Sequence, residues 1–402
     1  MGLNDVVSAE RLHIAFFGLR NAGKSSLVNA VTGQDLSVVS DVLGTTTDPV
    51  RKAMELLPLG PVLIIDTPGF DDSGSLGELR VRKTARVLAQ TDIAILVVDA
   101  ALGRQPGDEE MIALFKARKI PYLVALNKAD LLADRPAPAA EEIYVSSVSG
   151  ENINELKDRI GALRPEGSGE KLIVCDRLAP GSVVVLVIPI DESAPKGRII
   201  LPQQMVLREL LDHHMSVLVC QAVDLSVTLA GLVRKPDLVI TDSQAFKSVA
   251  ADTPEDVLLT SFSILMARYK GNLRQLTLGA SKLLALTDQD RVLISEGCSH
   301  HRQCGDIGTV KMPAWIRQRT GASPALAFTS GGDFPADLSD TDLVIHCGGC
   351  MLNEKEMQHR LQVAEAADVP VVNYGIAIAA MHGILRRSLE IFPELTALLE
   401  EE

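Results

Sequence analysis

At 402 residues the chain exceeds one ordinary core; roughly 100 to 200 residues per domain gives about two to four domains, and three are expected. Hydrophobic residues make up 47 % of the chain, with one Trp, four Tyr and nine Phe, so Val, Ile, Leu and Ala must fill the cores, an α/β composition. The formal charge of −13, without a run of Lys or Arg to follow a phosphate backbone, argues against nucleic acid as the main partner. The apolar run 183–190 falls far short of the about 18 residues that cross a bilayer, so no membrane partner is expected. The first residues lack the basic start and apolar stretch of a secretory signal, which makes the cytoplasm the expected location. Six cysteines in such a chain point to metal ligands or free thiols, because a reducing compartment disfavours disulfides.

In chain order, His13 to Phe17 is a short apolar run that leads into Gly18-Leu19-Arg20-Asn21-Ala22-Gly23-Lys24-Ser25-Ser26 and then an apolar-periodic stretch to Val31. This is strand, phosphate loop, helix: the glycines let main-chain N–H groups wrap phosphates, Lys24 reaches the terminal phosphates, and the Ser25 hydroxyl suits magnesium. Val62 to Ile65 reads as a buried strand ending in Asp66-Thr67-Pro68-Gly69, where Asp66 can hold a magnesium-bound water and the Gly69 amide can sense a γ-phosphate. Leu123 to Leu126 runs into Asn127-Lys128-Ala129-Asp130, whose Asp130 carboxylate can accept two hydrogen bonds from a guanine edge and so selects guanine over adenine. Ser146, Ser147 and Val148 follow the strand Ile143 to Val145 and suit the last base-binding loop. The ordered set predicts GTP and GDP as ligands, with Mg2+, and GTP hydrolysis as the reaction.

Asn21 in the phosphate loop, and Gly44-Thr45-Thr46-Thr47-Asp48 as the first switch, resemble the Era and MnmE (TrmE) branch of GTPases. That resemblance implies a K+ ion bound with help from Asn21 in place of an arginine finger, and a magnesium-ligating threonine, with Thr46 chosen and Thr45 the alternative. Residue 70 is Phe, so the glutamine that positions water in Ras-like proteins is missing and unaided hydrolysis should be slow. MnmE-type proteins use a glutamate twelve positions after the magnesium-site Asp, and Glu78 stands at that spacing from Asp66; the alternative is a solvated surface Glu.

Leu163 to Lys171, with Pro165, Gly167, Ser168 and Gly169, reads as a linker. Beyond it, Val183 to Ile190 is a β-rich run, and alternating strand and helix patterns continue through 207–215, 216–221 and 238–241. The segment Asp256 to Asn272 reads as helical, its apolar stripe serving packing or a subunit contact. The adjacent His213 and His214 point two ways on a helix and read as ordinary surface or packing residues.

From Asp290 a strand, Val292 to Ile294, enters the polar loop Glu296-Gly297-Cys298-Ser299-His300-His301-Arg302-Gln303-Cys304-Gly305-Asp306. A second unit repeats this, Leu343 to Ile345 entering His346-Cys347-Gly348-Gly349-Cys350. Both thiol clusters lie at the C-terminal ends of predicted strands, where ligand sites of open α/β sheets collect, so neighbouring parallel strands would bring Cys298, Cys347 and Cys350 together. The C-x-x-C spacing lets two thiolates face one metal centre; alone it would equally fit a redox pair or half a zinc site.

Cys298-x-His300 followed after 45 intervening residues by His346-Cys-x-x-Cys is similar to the signature of HydF, the family of FeFe-hydrogenase maturation GTPases, and the resemblance extends through Glu296 to Met312 and Ser261 to Gly271. It implies an α/β fold in three parts: a P-loop GTPase domain (1–166), an α/β dimerisation domain (172–265) and an α/β domain binding an iron-sulfur cluster (270–402). In that family three cysteines, by position Cys298, Cys347 and Cys350, hold a 4Fe-4S cluster and leave one iron with a labile ligand; His300, His346, Glu296, Asp306 and water all remain open as that ligand, and Cys304 lies outside the signature. The resemblance further implies a homodimeric scaffold that receives a diiron precursor from radical-SAM maturases and delivers it to FeFe hydrogenase apo-protein. The rival readings are an MnmE-like GTPase acting in RNA modification with zinc on its cysteines, and a plain dithiol redox protein, which would leave Cys298 unexplained.

Overall fold

In the first sheet, side chains on successive residues of one strand go to opposite faces, and the two faces are filled differently. The computed structural model describes residues 10–33, 49–69, 84–163, 171–190, 199–297 and 306–399. Strand β1 (Leu12–Phe17) is buried along nearly its whole length. Its Ile14 and Phe16 point to the side covered by helix α1 (Lys24–Thr32) through Leu27, Val28 and Val31. Its Ala15 and Phe17 point to the opposite side, where Met111, Ile112 and Phe115 of α2 (Pro106–Ala117) wait. With β2 (Val50–Leu56), β3 (Gly60–Asp66), β4 (Ile93–Asp99), β5 (Tyr122–Asn127) and β6 (Glu142–Tyr144) it forms a six-stranded sheet in the order β2-β3-β1-β4-β5-β6. Only β2 runs antiparallel, against β3. Helix α3 (Ile153–Ala162) adds Leu156 and Ile160 to the α1 side. A parallel sheet with both faces covered explains why its strands read as near-continuous apolar runs.

The chain divides into two compact units, 1–169 and 170–402. The second contains two four-stranded, all-parallel sheets. One has the order β10-β9-β7-β8, from β7 (Val183–Val187), β8 (Ser216–Cys220), β9 (Leu238–Thr241) and β10 (Leu258–Ser261), with α4 (Leu201–Asp212) and α5 (Phe246–Asp252) between strands. The other has the order β12-β11-β13-β14, from β11 (Arg291–Glu296), β12 (Ala325–Ser330), β13 (Leu343–His346) and β14 (Val371–Asn373). A single apolar core running from Ile173 to Leu395 lies under both sheets, so the two later segments expected from the sequence form one compact unit.

Helices α6 (Phe262–Lys270) and α7 (Leu273–Leu284) join the two sheets. The segment 256–272, read as helical throughout, is corrected here: Leu258–Ser261 pairs in parallel with β9, and the helix begins only at Phe262. The Ser261 hydroxyl explains the switch, since it accepts the Ile264 N–H at 3.2 Å and caps the helix there. Strand β7 likewise stops at Val187, short of Ile190, and the helix read over 207–215 spans Leu201–Asp212. Helices α8 (Met312–Thr320), α9 (Glu354–Ala366) and α10 (Tyr374–Met381) complete the last sheet's surroundings.

Candidate functional site

Both candidate sites lie at the carboxyl ends of parallel strands, at the point where strand order reverses. In the first sheet β1 stands between β3 and β4, and the loop leaving β1 opens there. Gly23 must be glycine: its φ is +86° and a Cβ would stand 2.3 Å from Asn127 Nδ2. That closeness serves a bond, for Asn127 Nδ2 donates to the carbonyl oxygen of Ala22 at 3.0 Å. The same side chain accepts the Ser147 N–H at 3.1 Å, so Asn127 ties the phosphate loop to the last base-binding loop. Lys24 is buried and donates to the carbonyl oxygens of Gly18 at 2.9 Å and Leu19 at 2.7 Å, holding its ammonium inside the loop that would wrap phosphates. The Ser25 hydroxyl donates to Asp66 Oδ2 at 2.6 Å, which joins the two groups expected around magnesium. Ser26 follows on α1, and Gly69 lies against the main chain of Arg20. Asn21 takes a left-handed conformation, φ 61°, a region that asparagine tolerates better than most residues.

Around the motif expected to bind the base, Asp130 Oδ1 accepts the Ser146 hydroxyl at 2.5 Å, and that same oxygen of Ser146 accepts the Val148 and Ser149 N–H groups at 3.3 and 3.1 Å. Lys128 pairs with Asp99 at 2.5 Å. Asp99 escaped the sequence reading although it ends an apolar strand, the usual position for a site residue. Thr45, Thr46 and Glu78 lie outside the described residues.

The second site repeats the topology. β11 stands between β12 and β13, so the order reverses between β11 and β13, whose parallel register pairs Ser295 with His346. Cys347 therefore leaves β13 beside the end of β11, and its Sγ accepts the Gly297 N–H at 3.0 Å and the Gly349 N–H at 3.4 Å. Gly349 makes the turn possible, with φ +63° and a Cβ position only 2.2 Å from Met357 Cε. Burial pushes the Cys347 thiol up to about 11, the two N–H groups opposing it in part. Burial also raises Cys350, against the pull of the nearby Lys270 charge. Cys298 is covalently next to Gly297 but, with His300 and Cys304, lies outside the described residues.

Of the candidate fourth ligands, His346 is fully engaged: Nδ1 meets the Cys347 carbonyl oxygen at 2.8 Å and Nε2 meets Arg360 Nη1 at 2.9 Å. Arg360 is itself buried, paired with Glu356 at 2.9 Å and stacked over Phe334 at 5.2 Å. Glu296 is buried and accepts the Tyr374 hydroxyl at 3.1 Å, while Asp306 caps the next turn by accepting the Thr309 N–H at 2.9 Å. Among the described residues no three metal-ligating side chains meet, and His213 Nδ1 turns to its own helix, at 2.9 Å from the Glu209 carbonyl.

Residues 173–271 match the hydrogen maturase F dimerization domain and residues 274–391 the hydrogen maturase F tetramerization domain, together more than half of the chain. The chain belongs to the hydrogen maturase F family. Residues 13–128 match the 50S ribosome-binding GTPase model, so the first unit of this family member is a GTPase domain. Its curated relatives include the tRNA modification GTPase MnmE of Thiobacillus denitrificans, 34 % identical over 156 residues, covering 39 % of this chain and 34 % of that protein. GTPase Der of Kosmotoga olearia is 31 % identical over 170 residues, covering 38 % of each. The chain spans about a third of the length of these relatives. Among solved structures, Era with MgGDPNP and a 16S ribosomal RNA segment has a TM-score of 0.35 at 22 % identity, over 52 % of this chain and 93 % of that one. A single-site variant of Aquifex aeolicus Era bound to GDP.AlF4- has a TM-score of 0.34 at 21 % identity, over 52 % and 93 %. The two hydrogen maturase F descriptions both name self-association. Val219 on the edge strand β8, then Val223 and Val227, are 54, 84 and 78 % exposed. Among the described residues no helix is long and apolar enough to cross a membrane.

Proposed function

We propose that this chain is a GTP-hydrolysing scaffold that holds a 4Fe-4S cluster on Cys298, Cys347 and Cys350 and carries the diiron precursor of the hydrogenase active site to FeFe hydrogenase apo-protein. The observation that supports this best is the pair of N–H groups, from Gly297 and Gly349, aimed at Cys347 Sγ. Such donors stabilise the sulfur charge that metal binding exposes, and one of them belongs to the residue covalently joined to Cys298. The described donors fit the group: the soft thiols of Cys347 and Cys350 follow β13 at a strand-order switch, with two N–H groups directed at Cys347 Sγ. When bound, the cluster would supply an iron without a thiolate ligand, open to exchange.

The chain's own residues prepare that exchange. The Gly348-Gly349 turn places no side chain between Cys347 and Cys350, while His346 Nε2 is engaged by Arg360. In the first unit, Lys24, Ser25 and Asp66 would take the phosphates and Mg2+, Thr46 would complete the magnesium shell and Asn21 would help to hold K+. The main-chain N–H of Gly69 would sense the γ-phosphate, and Glu78 would orient the attacking water. Asn127, Lys128, Asp130 and the 146–148 loop would select guanine. Radical-SAM maturases would supply the diiron cargo, and self-association would make a homodimer through the β7–β10 sheet, in the cytoplasm.

Anaerobic reconstitution with iron and sulfide, read by metal analysis and electron paramagnetic resonance, tests the proposal. About four irons per chain are expected in the wild type, with each of Cys298→Ser, Cys347→Ser and Cys350→Ser losing cluster iron and failing to activate apo-hydrogenase. A colourless protein that retains zinc instead would favour the zinc-bearing rival.

A further inference from the structure

Helix α6 meets the Cys347–Cys350 loop at both of its ends. Near its start, Ser263 lies beside Gly348, where a Cβ would be in ordinary contact with Oγ at 3.4 Å. The Ser263 carbonyl oxygen accepts Asn373 Nδ2 at 2.9 Å, which anchors that end to β14. At the other end Lys270, 3 % exposed, directs Nζ to the carbonyl oxygens of Leu352 at 2.9 Å and Cys350 at 3.3 Å. Its backbone is fixed as well: Gln358 Nε2, on α9, donates to the carbonyl oxygens of Lys270 and Gly271, both at 3.2 Å.

An ammonium withdrawn from water this completely is costly unless dipoles or negative charge face it. The two carbonyls supply dipoles, and metal-bound Cys350 would supply charge. Arg360, also buried near Cys347, pairs with Glu356, and the charge of Glu296 acts on Cys347. Three thiolates outweigh the positive charge of an oxidised cluster core, and uptake of one electron adds a further negative charge. A fixed cation nearby therefore favours the reduced form.

We propose that Lys270 is a positioning and charge-setting residue of the cysteine site: its donors hold the turn after Cys350, and its charge raises the reduction potential of the bound cluster. This rests on the reading that the three cysteines hold a 4Fe-4S cluster. The residue comes from the helix that ends the dimerization segment, so the cysteine loop is built partly by its neighbour in sequence.

The test uses the full-length protein, reconstituted anaerobically and titrated with redox mediators under electron paramagnetic resonance. Lys270→Gln keeps N–H donors for the two carbonyls but removes the charge; it should load iron and sulfide as the wild type does and be reduced at a more negative potential. Lys270→Met removes both and should also lower iron content. Lys270→Arg keeps the charge and should hold the wild-type potential. Lys270→Gln reduced at the wild-type potential would overturn the charge role, and Lys270→Met with full iron content the positioning role. If Lys270→Gln fails to fold, Lys270→Arg decides: failure to load, or a shifted potential, sinks the proposal. A wild type that takes up no iron would remove the cluster reading and this inference together, whereas a loaded wild type beside an unshifted Lys270→Gln removes the inference alone.

Discussion

His346 sits where a metal ligand was an open possibility, yet its ring is bonded at both nitrogens, and burial together with the Arg360 charge pushes its pKa down to about 3. The imidazole is therefore neutral in the folded protein, while in the unfolded chain it gains a proton near pH 6.5. Stability from this depressed group is whole above pH 6.5 and is lost as pH falls towards 3. The stability difference between wild type and His346→Gln, from denaturant unfolding at pH 7, 5 and 4, should shrink as pH falls; a constant difference would mean that the ring is not buried neutral. At the same scale, Asn21 holds the left-handed geometry of the phosphate loop. GTP hydrolysis should be faster in potassium than in sodium, and Asn21→Ala should erase that difference, with Asn21→Gly, which tolerates the same φ, as the control for backbone strain. Equal rates of the wild type in the two salts would leave Asn21 without its role. Legibility also differed residue by residue. Lys24, Ser25, Asp66 and Asn127 carry spacing that names their chemistry, whereas Arg360, Glu356 and Lys270 are ordinary helix residues until the fold buries them.

Strands and phosphate-loop context were readable because each apolar run was bounded by glycine or by a polar motif. The segment 256–272 was not, since a four-residue strand directly followed by a helix leaves no break in hydrophobicity, and only the hydroxyl of Ser261 marks the change. Loop-to-loop ties were equally invisible. Arg135, after the Asn127–Asp130 motif, pairs with both carboxylate oxygens of Glu151 and donates to the Ala129 carbonyl oxygen at 2.7 Å. It thus ties the Asn127–Asp130 motif to the loop that begins at Ser146, and Glu151 in turn is held below the usual carboxylate range by Arg135. Both side chains are partly exposed, so the clasp should be modest and salt-sensitive. Arg135→Ala should speed GDP dissociation roughly two- to five-fold at low salt, with the gap narrowing at high salt. The charge swap Arg135→Glu with Glu151→Arg should recover part of it; a dissociation rate unchanged in Arg135→Ala would show that the clasp does not hold the pocket shut.

Each of the two units has its own apolar packing, and each candidate site lies at a strand-order switch, at β1 in the first unit and between β11 and β13 in the second; the sheet of β7 to β10 reverses order as well, between β7 and β9, at a place where the sequence offers no candidate. The nucleotide motifs were readable from their residues and order, and the cysteine loops from the strand-then-polar-loop pattern that the strand-end rule makes suggestive. The sharing of one core by the two later sheets was not readable, because it depends on long-range packing through α6 and α7. Independent cores imply that damage to one site need not unfold the other. Lys24 provides the cation of the phosphate loop, and removing a preorganised charge of this kind costs about a hundred-fold or more in rate. Full-length Lys24→Ala should therefore lose GTP hydrolysis yet reconstitute with wild-type iron content. Cys347→Ser should lose cluster iron while turning over GTP at the wild-type rate, because the bonds that position Lys24, Asp66, Asn127 and Asp130 are made within the first unit. Loss of iron in Lys24→Ala, or of GTP turnover in Cys347→Ser, with folding intact by circular dichroism, would show instead that nucleotide and metal sites depend on one another at rest.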